Sequence, residues 1–134
     1  MEVQASFASG TVADSEDALN AAQSDVAMVN VGTLTFLEHA LAQLQDGGFV
    51  LINDYGPTTP EAFDLHTFIH RFGGTVTCAL NFPHLEHWLR ARGCQVFRPK
   101  GDPHRTIHTR LAILGEAPSL AKAFNIWFND TNYI

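Results

Sequence analysis

The sequence predicts a mixed α/β fold: a largely parallel sheet with helices on its faces and an antiparallel pair of strands near the C-terminus. Three observations carry that expectation. Two short, almost uninterrupted apolar runs, Asp25-Val26-Ala27-Met28-Val29-Asn30-Val31 and Phe49-Val50-Leu51-Ile52, flank a segment of helical period that ends in Gly47-Gly48, the order of a βαβ unit. The early alternation of Thr106-Ile107-His108-Thr109-Arg110 before Leu111 to Leu114 suits a strand exposed on one face. A chain of 134 residues, 46% apolar and 16% charged, is long enough to bury one core.

Taken in order, Val3 to Phe7 alternates as a short strand would, and residues 14–23 mix acids and alanine in a helix-favouring way. After the run at 25–31, Leu34, Leu37, Leu41 and Leu44 recur at helical spacing over residues 33–44, and Asp46-Gly47-Gly48 stops the helix. The Phe49 run halts at Asn53-Asp54-Tyr55-Gly56-Pro57. Phe63, Leu65, Phe68, Ile69 and Phe72 then fall at helical intervals over residues 61–72, closed by Gly73-Gly74. The β-branched stretch Thr75 to Leu80 reads as a third strand, and Pro83 sits where the first turn of a helix over 84–92 accepts it. Cys94 to Phe97 is extended again. The body is one domain over residues 1–117, followed by an amphipathic tail over 118–134 that docks on the body or on a partner.

Charge is segregated along the chain within a net charge of -6. Before Arg71 there are ten acids and no Lys or Arg; from Arg71 onward eight Lys and Arg face four acids. The overall balance argues against a nucleic-acid binder, and the local group Arg90, Arg92, Arg98, Lys100, Arg105 and Arg110 reads as a solvated surface paired with acids elsewhere. No apolar run approaches a membrane span, and Met1-Glu2-Val3-Gln4 lacks the basic start of a signal peptide, so a cytoplasmic protein without membrane contact is expected. Two cysteines, Cys78 and Cys94, are too few for a disulfide framework and are read as reduced, mostly buried thiols.

The stretch Asp25 to Leu114 resembles the C-terminal half of a class I S-adenosylmethionine-dependent methyltransferase, a Rossmann-like fold with a seventh, antiparallel strand. The resemblance rests on the 25–31 run and its helix, on Leu44-Gln45-Asp46-Gly47-Gly48-Phe49-Val50-Leu51-Ile52, and on the terminal strand pair. Asn53-Asp54-Tyr55-Gly56 and Leu80-Asn81-Phe82-Pro83-His84-Leu85 are similar, more narrowly, to the branch of complex I assembly methyltransferases. It implies S-adenosylmethionine as cofactor and a protein as a possible substrate. The glycine-rich loop that follows the first strand in such enzymes is absent here. The resemblance therefore implies half of a fold, completed by an upstream methyltransferase half or by a second copy in a homo-oligomer. The chain by itself is expected not to bind the cofactor normally. A non-catalytic, self-associating interaction module is the alternative.

In open α/β sheets ligands sit beyond the carboxyl ends of parallel strands, which singles out the residues after Val31 and Ile52. Asn30 and Gly32 mark the first end as cofactor-binding candidates, and Asp54 and Tyr55 mark the second as catalytic ones. Asp54 suits orienting a nucleophile or accepting its proton, and Tyr55 suits stacking on a substrate; the plainer readings are a hydrogen bond from Asn30 to a neighbouring loop and a turn made by Asp54. His66 or His70, on the helix expected after that loop, is a candidate general base. The pairs His66/His70, His84/His87 and His104/His108 have spacing that permits ligation, but no third and fourth ligand accompany them, so no metal is expected.

Overall fold

A computed structural model describes residues 12, 15–22, 27–60, 69–102 and 106–129. Within them the elements are α1 (Ser15–Ala22), α2 (Val31–Leu41), β1 (Phe49–Asp54), β2 (Ile69–Phe72), β3 (Thr75–Cys78), α3 (Phe82–Ala91), β4 (Cys94–Phe97), β5 (His108–Leu114) and α4 (Pro118–Asn129). The fold is mixed α/β, as expected, but both described sheets are antiparallel. The larger has the order β1-β5-β4, so β1 and β4 run in one direction on either side of β5. Among the described residues no two neighbouring strands are parallel.

Three sequence expectations are corrected. The 25–31 run is not a strand where it is described: residues 27–30 carry no regular structure and Val31 already opens α2. Its polar backbone is met by side chains instead of a ladder, Asn81 Nδ2 donating to Met28 O at 2.8 Å. The helix expected over 61–72 ends in strand β2; residues 61–68 lie outside the described residues. Gly73, at φ 58, and Gly74 join β2 to β3 in a two-residue turn, with Phe72 opposite Thr75. A Gly-Gly pair between β-prone runs is a hairpin signal, and it outweighs the helical spacing of the aromatics. β1, finally, is not buried on both faces: Phe49 and Leu51 are each 48% exposed while Val50 and Ile52 point into the core.

The core has two layers separated by the sheet. On one face Val50, Ile52, Ala112 and Leu114 meet Leu34, Leu37 and Leu41 of α2 and Leu85, Trp88 and Leu89 of α3. On the other, Leu111 and Ile113 meet Phe124 of α4, with Leu120 and Phe128 beside it. The C-terminal tail is thus a helix docked on the body of the same chain. α3 forms where Asn81 caps it, its Oδ1 accepting from His84 N at 3.1 Å, with Pro83 in the first turn.

The thiols divide. Cys94 is buried, whereas Cys78 at the end of β3 is exposed, against the expectation that both are mostly buried. Burial pushes the Cys94 thiol above its ordinary range, because desolvation disfavours the thiolate. Iodoacetamide at mildly alkaline pH is expected to label Cys78 in the folded chain and Cys94 only after unfolding; equal labelling rates, read by peptide mass mapping, contradict the described packing. The raised pKa also means that this thiol's contribution to stability is present below the ordinary thiol range and is lost as the pH rises through its folded-state value.

Candidate functional site

The carboxyl end of β1 meets the amino end of β5, and a three-residue strip, Ala79 to Asn81, passes beside them. Pairing continues to the last residue of β1, with Asn53 opposite Thr109 and Asp54 opposite His108. Thr109 Oγ1 donates to Asn53 Oδ1 at 2.7 Å. Asp54 Oδ1 accepts from the adjacent Tyr55 N at 2.8 Å. The loop then lies against the strip: Leu80 N donates to Tyr55 O at 2.9 Å and Phe82 N to Pro57 O at 3.3 Å. Gly56 makes that approach possible. At its φ of 153 an added Cβ would meet the Leu80 carbonyl oxygen far inside contact distance.

Asn30 holds the same strip, its Nδ2 donating to Ala79 O at 3.0 Å and its Oδ1 accepting from Asn81 N at 2.9 Å. Asn30 and Tyr55 therefore come together around Ala79–Asn81, although 25 positions separate them in sequence. The plainer reading of Asn30, a hydrogen bond to a neighbouring loop, describes these bonds. Gly32 stands apart as an exposed residue in the first turn of α2, with no atom within 4 Å of where a Cβ would sit. The Asn30 amide is engaged with the strip, and the Gly32 position lies open. His66 lies outside the described residues. Its neighbour in spacing, His70, sits on β2 with its ring centroid 6.3 Å from that of Tyr55.

Behind this end of the sheet is a buried ionic network that sequence spacing concealed. Arg110 is fully buried. Its Nη2 donates to Asp102 Oδ2 at 2.8 Å, its Nε to Glu86 Oε1, and its Nη1 to Thr109 O at 2.8 Å. Glu86 also accepts from Arg90 Nη2 at 2.9 Å one helical turn away. His108 Nδ1 lies 3.2 Å from Asp102 Oδ1, and the Phe82 ring stands edge-on to the imidazole at 5.4 Å and under the Arg110 guanidinium at 4.7 Å. The expectation that Arg110 lies in a solvated basic patch is corrected, and His108 is buried beside it. Each points to the helix-covered face of β5, on the same side as Ala112 and Leu114. The one legible signal was parity along β5.

Arg92 of the same basic group is paired as well. Arg92 stacks on Trp88, 3.6 Å from the ring centroid, and approaches Glu38 at 3.7 Å. A cavity of about 810 Å³ lies elsewhere, between β4 and the start of α4, lined by Phe97, Glu116, Pro118 and Lys122 among others. Among the described residues no three His, Cys, Asp or Glu side chains converge in a way suited to a metal ion, and no helix is long and apolar enough to cross a membrane. No family model, curated protein or solved structure matches the chain.

Proposed function

We propose that the chain is the C-terminal, substrate-side part of an S-adenosylmethionine-dependent methyltransferase, competent in methyl transfer only where a cofactor-binding half is supplied. The observation that supports this most is the strand order β1-β5-β4. The resemblance implies a last strand antiparallel to its neighbours, and β5 lies antiparallel between two strands of common direction. S-adenosylmethionine supplies a methyl group already activated by a sulfonium charge, so the tasks left to protein side chains are alignment and removal of a proton. Asp54 suits the alignment, since one oxygen is held by Tyr55 N–H and the other is left to orient an acceptor group. Tyr55, beside it, walls the approach. Asn30 and Gly32, at the start of α2, are proposed to face the cofactor, with the glycine-rich loop carried by the second half. The acceptor proposed is a protein side chain, and the setting the cytoplasm.

The second reading, a self-associating module, is favoured by the β1 edge. Phe49 and Leu51 are half exposed on a strand with no charge before Asp54, and Ile126 and Trp127 are exposed on α4. Such an edge is prone to pairing with another chain.

Calorimetric titration with S-adenosylmethionine, run on the chain alone and on the chain co-expressed with the polypeptide encoded next to it, separates the readings. Saturable heat is expected in the second case only. Micromolar binding by the chain alone overturns the half-site reading, and no binding in either case overturns the methyltransferase. A concentration-dependent dimer in sedimentation velocity, abolished by Leu51→Lys, supports the module.

A further inference from the structure

We propose that His108, held by Asp102, is the proton acceptor at the carboxyl end of β1, serving an acceptor group that carries N–H or O–H. The proposal deepens the methyltransferase reading and rests on it for the fate of the deprotonated group.

Register provides the first argument. His108 is the Cα partner of Asp54, and directly opposed residues of an antiparallel pair project to the same face with Cβ atoms about 4.5–5.5 Å apart. An imidazole and a carboxylate thus stand side by side where the carboxyl end of β1 meets the amino end of β5. Asp54 entered the site from sequence; the register brings His108 to it across 54 positions.

Orientation is the second. With the Asp102 carboxylate as acceptor, the proton of its bond to His108 sits on Nδ1. That tautomer leaves Nε2 as a bare lone pair, the atom a general base uses. Phe82, edge-on to the ring, fixes its plane. The side chain retains 8% of its surface in solvent, so it is screened without being sealed.

Charge is the third. The groups that face His108 are Asp54 from β1, Asp102 from the loop before β5, Arg110 from β5 and, through Arg110, Glu86 from α3. Two carboxylates are buried around one buried guanidinium, and Arg90, the other cation on Glu86, has a half-exposed side chain. The buried trio carries one net negative charge, which a proton on His108 balances. In the step itself, the acceptor's X–H bond breaks, its electron pair stays on X, and the proton bonds to Nε2. His108 becomes an imidazolium whose Nδ1–H still donates to Asp102.

The test needs no substrate. Long-range proton–nitrogen NMR of the labelled chain, above the pH at which the imidazole titrates, is expected to show His108 as the Nδ1–H tautomer, a preference lost in Asp102→Asn. Diethyl pyrocarbonate acylates a bare imidazole nitrogen. Peptide mass mapping is expected to find His108 acylated in the folded chain, at a rate that falls roughly tenfold in Asp102→Asn as Nε2 takes up the proton. Circular dichroism checks that this variant is folded. An Nε2–H tautomer in the unaltered chain, or acylation of His108 only after unfolding, overturns the proposal. Failure of S-adenosylmethionine to bind in either titration removes the methyltransferase reading and leaves these outcomes standing, so the two failures are distinguishable.

Discussion

Arg110→Met lowers the unfolding free energy by about 3–5 kcal/mol, because it strands Glu86 and Asp102 as buried carboxylates without their cation. Removing one partner of a buried ion pair costs more than the pair itself contributes, since the remaining charges have already lost their hydration. The size of the loss therefore reports on desolvation. Adding Glu86→Gln and Asp102→Asn to the Arg110→Met background is expected to restore a good part of it, since neutral amides pay less for burial. Guanidinium-induced unfolding at constant slope gives the comparison. A change of under about 1 kcal/mol for Arg110→Met would place the guanidinium in water and sink the network as described. The loss should also change little with added salt, because a fully buried group is poorly screened.

Phe82→Ala is expected to cost about 3–5 kcal/mol, the range for truncating a fully buried aromatic. Phe82 belongs at once to the core under α2 and α3, to the cation-π contact with Arg110, and to the edge-on contact that orients His108. Its N–H also ties the start of α3 to Pro57 O. The side chain is thus the mechanical link between the apolar layer and the polar end of the sheet. Phe82→Leu separates these roles. It keeps most of the volume and is expected to cost about 1–2 kcal/mol, while the His108 imidazole loses its fixed plane, visible as averaged ring resonances. Comparable losses in both variants would mean that the ring's geometry, rather than its bulk, dominates.

The helices and four of the five described strands were readable because their signals are local. Leu34, Leu37 and Leu41 mark one face of α2, and Asn81 with Pro83 announces α3. Cys94–Phe97 and His108–Leu114 alternate or run apolar where β4 and β5 lie. Two local signals conflicted at Ile69 to Phe72, where the spacing of aromatics implied a helix and Gly73-Gly74 a hairpin. The 25–31 run failed for another reason: apolar character says that a segment is buried, and only a neighbouring backbone makes it a strand. In the described residues that neighbour is the side-chain amide of Asn81.

The candidate site divides in the same way. Asp54, Tyr55 and Asn30 were found by asking which residues end the apolar runs, and the structure brings them to the edges of one strip. The partnership of Arg110 with Glu86 and Asp102, and of His108 with Asp102 and Asp54, was invisible. A charged residue in a strand looks the same whether its partners are water or buried acids, and those acids sit on a helix and a loop that only packing brings into reach.

By itself, then, the sequence determined a mixed α/β chain with apolar helix faces, an amphipathic C-terminal helix and a polar cluster at the end of β1. Each of these follows from periodicities and turn residues that act over a few positions. Tertiary structure alone decided that β1 joins an antiparallel sheet, that it keeps apolar side chains half exposed, and that one arginine and one histidine of β5 face inward. Those outcomes depend on which distant backbone or carboxylate arrives alongside, a matter of long-range free energy that no local pattern encodes.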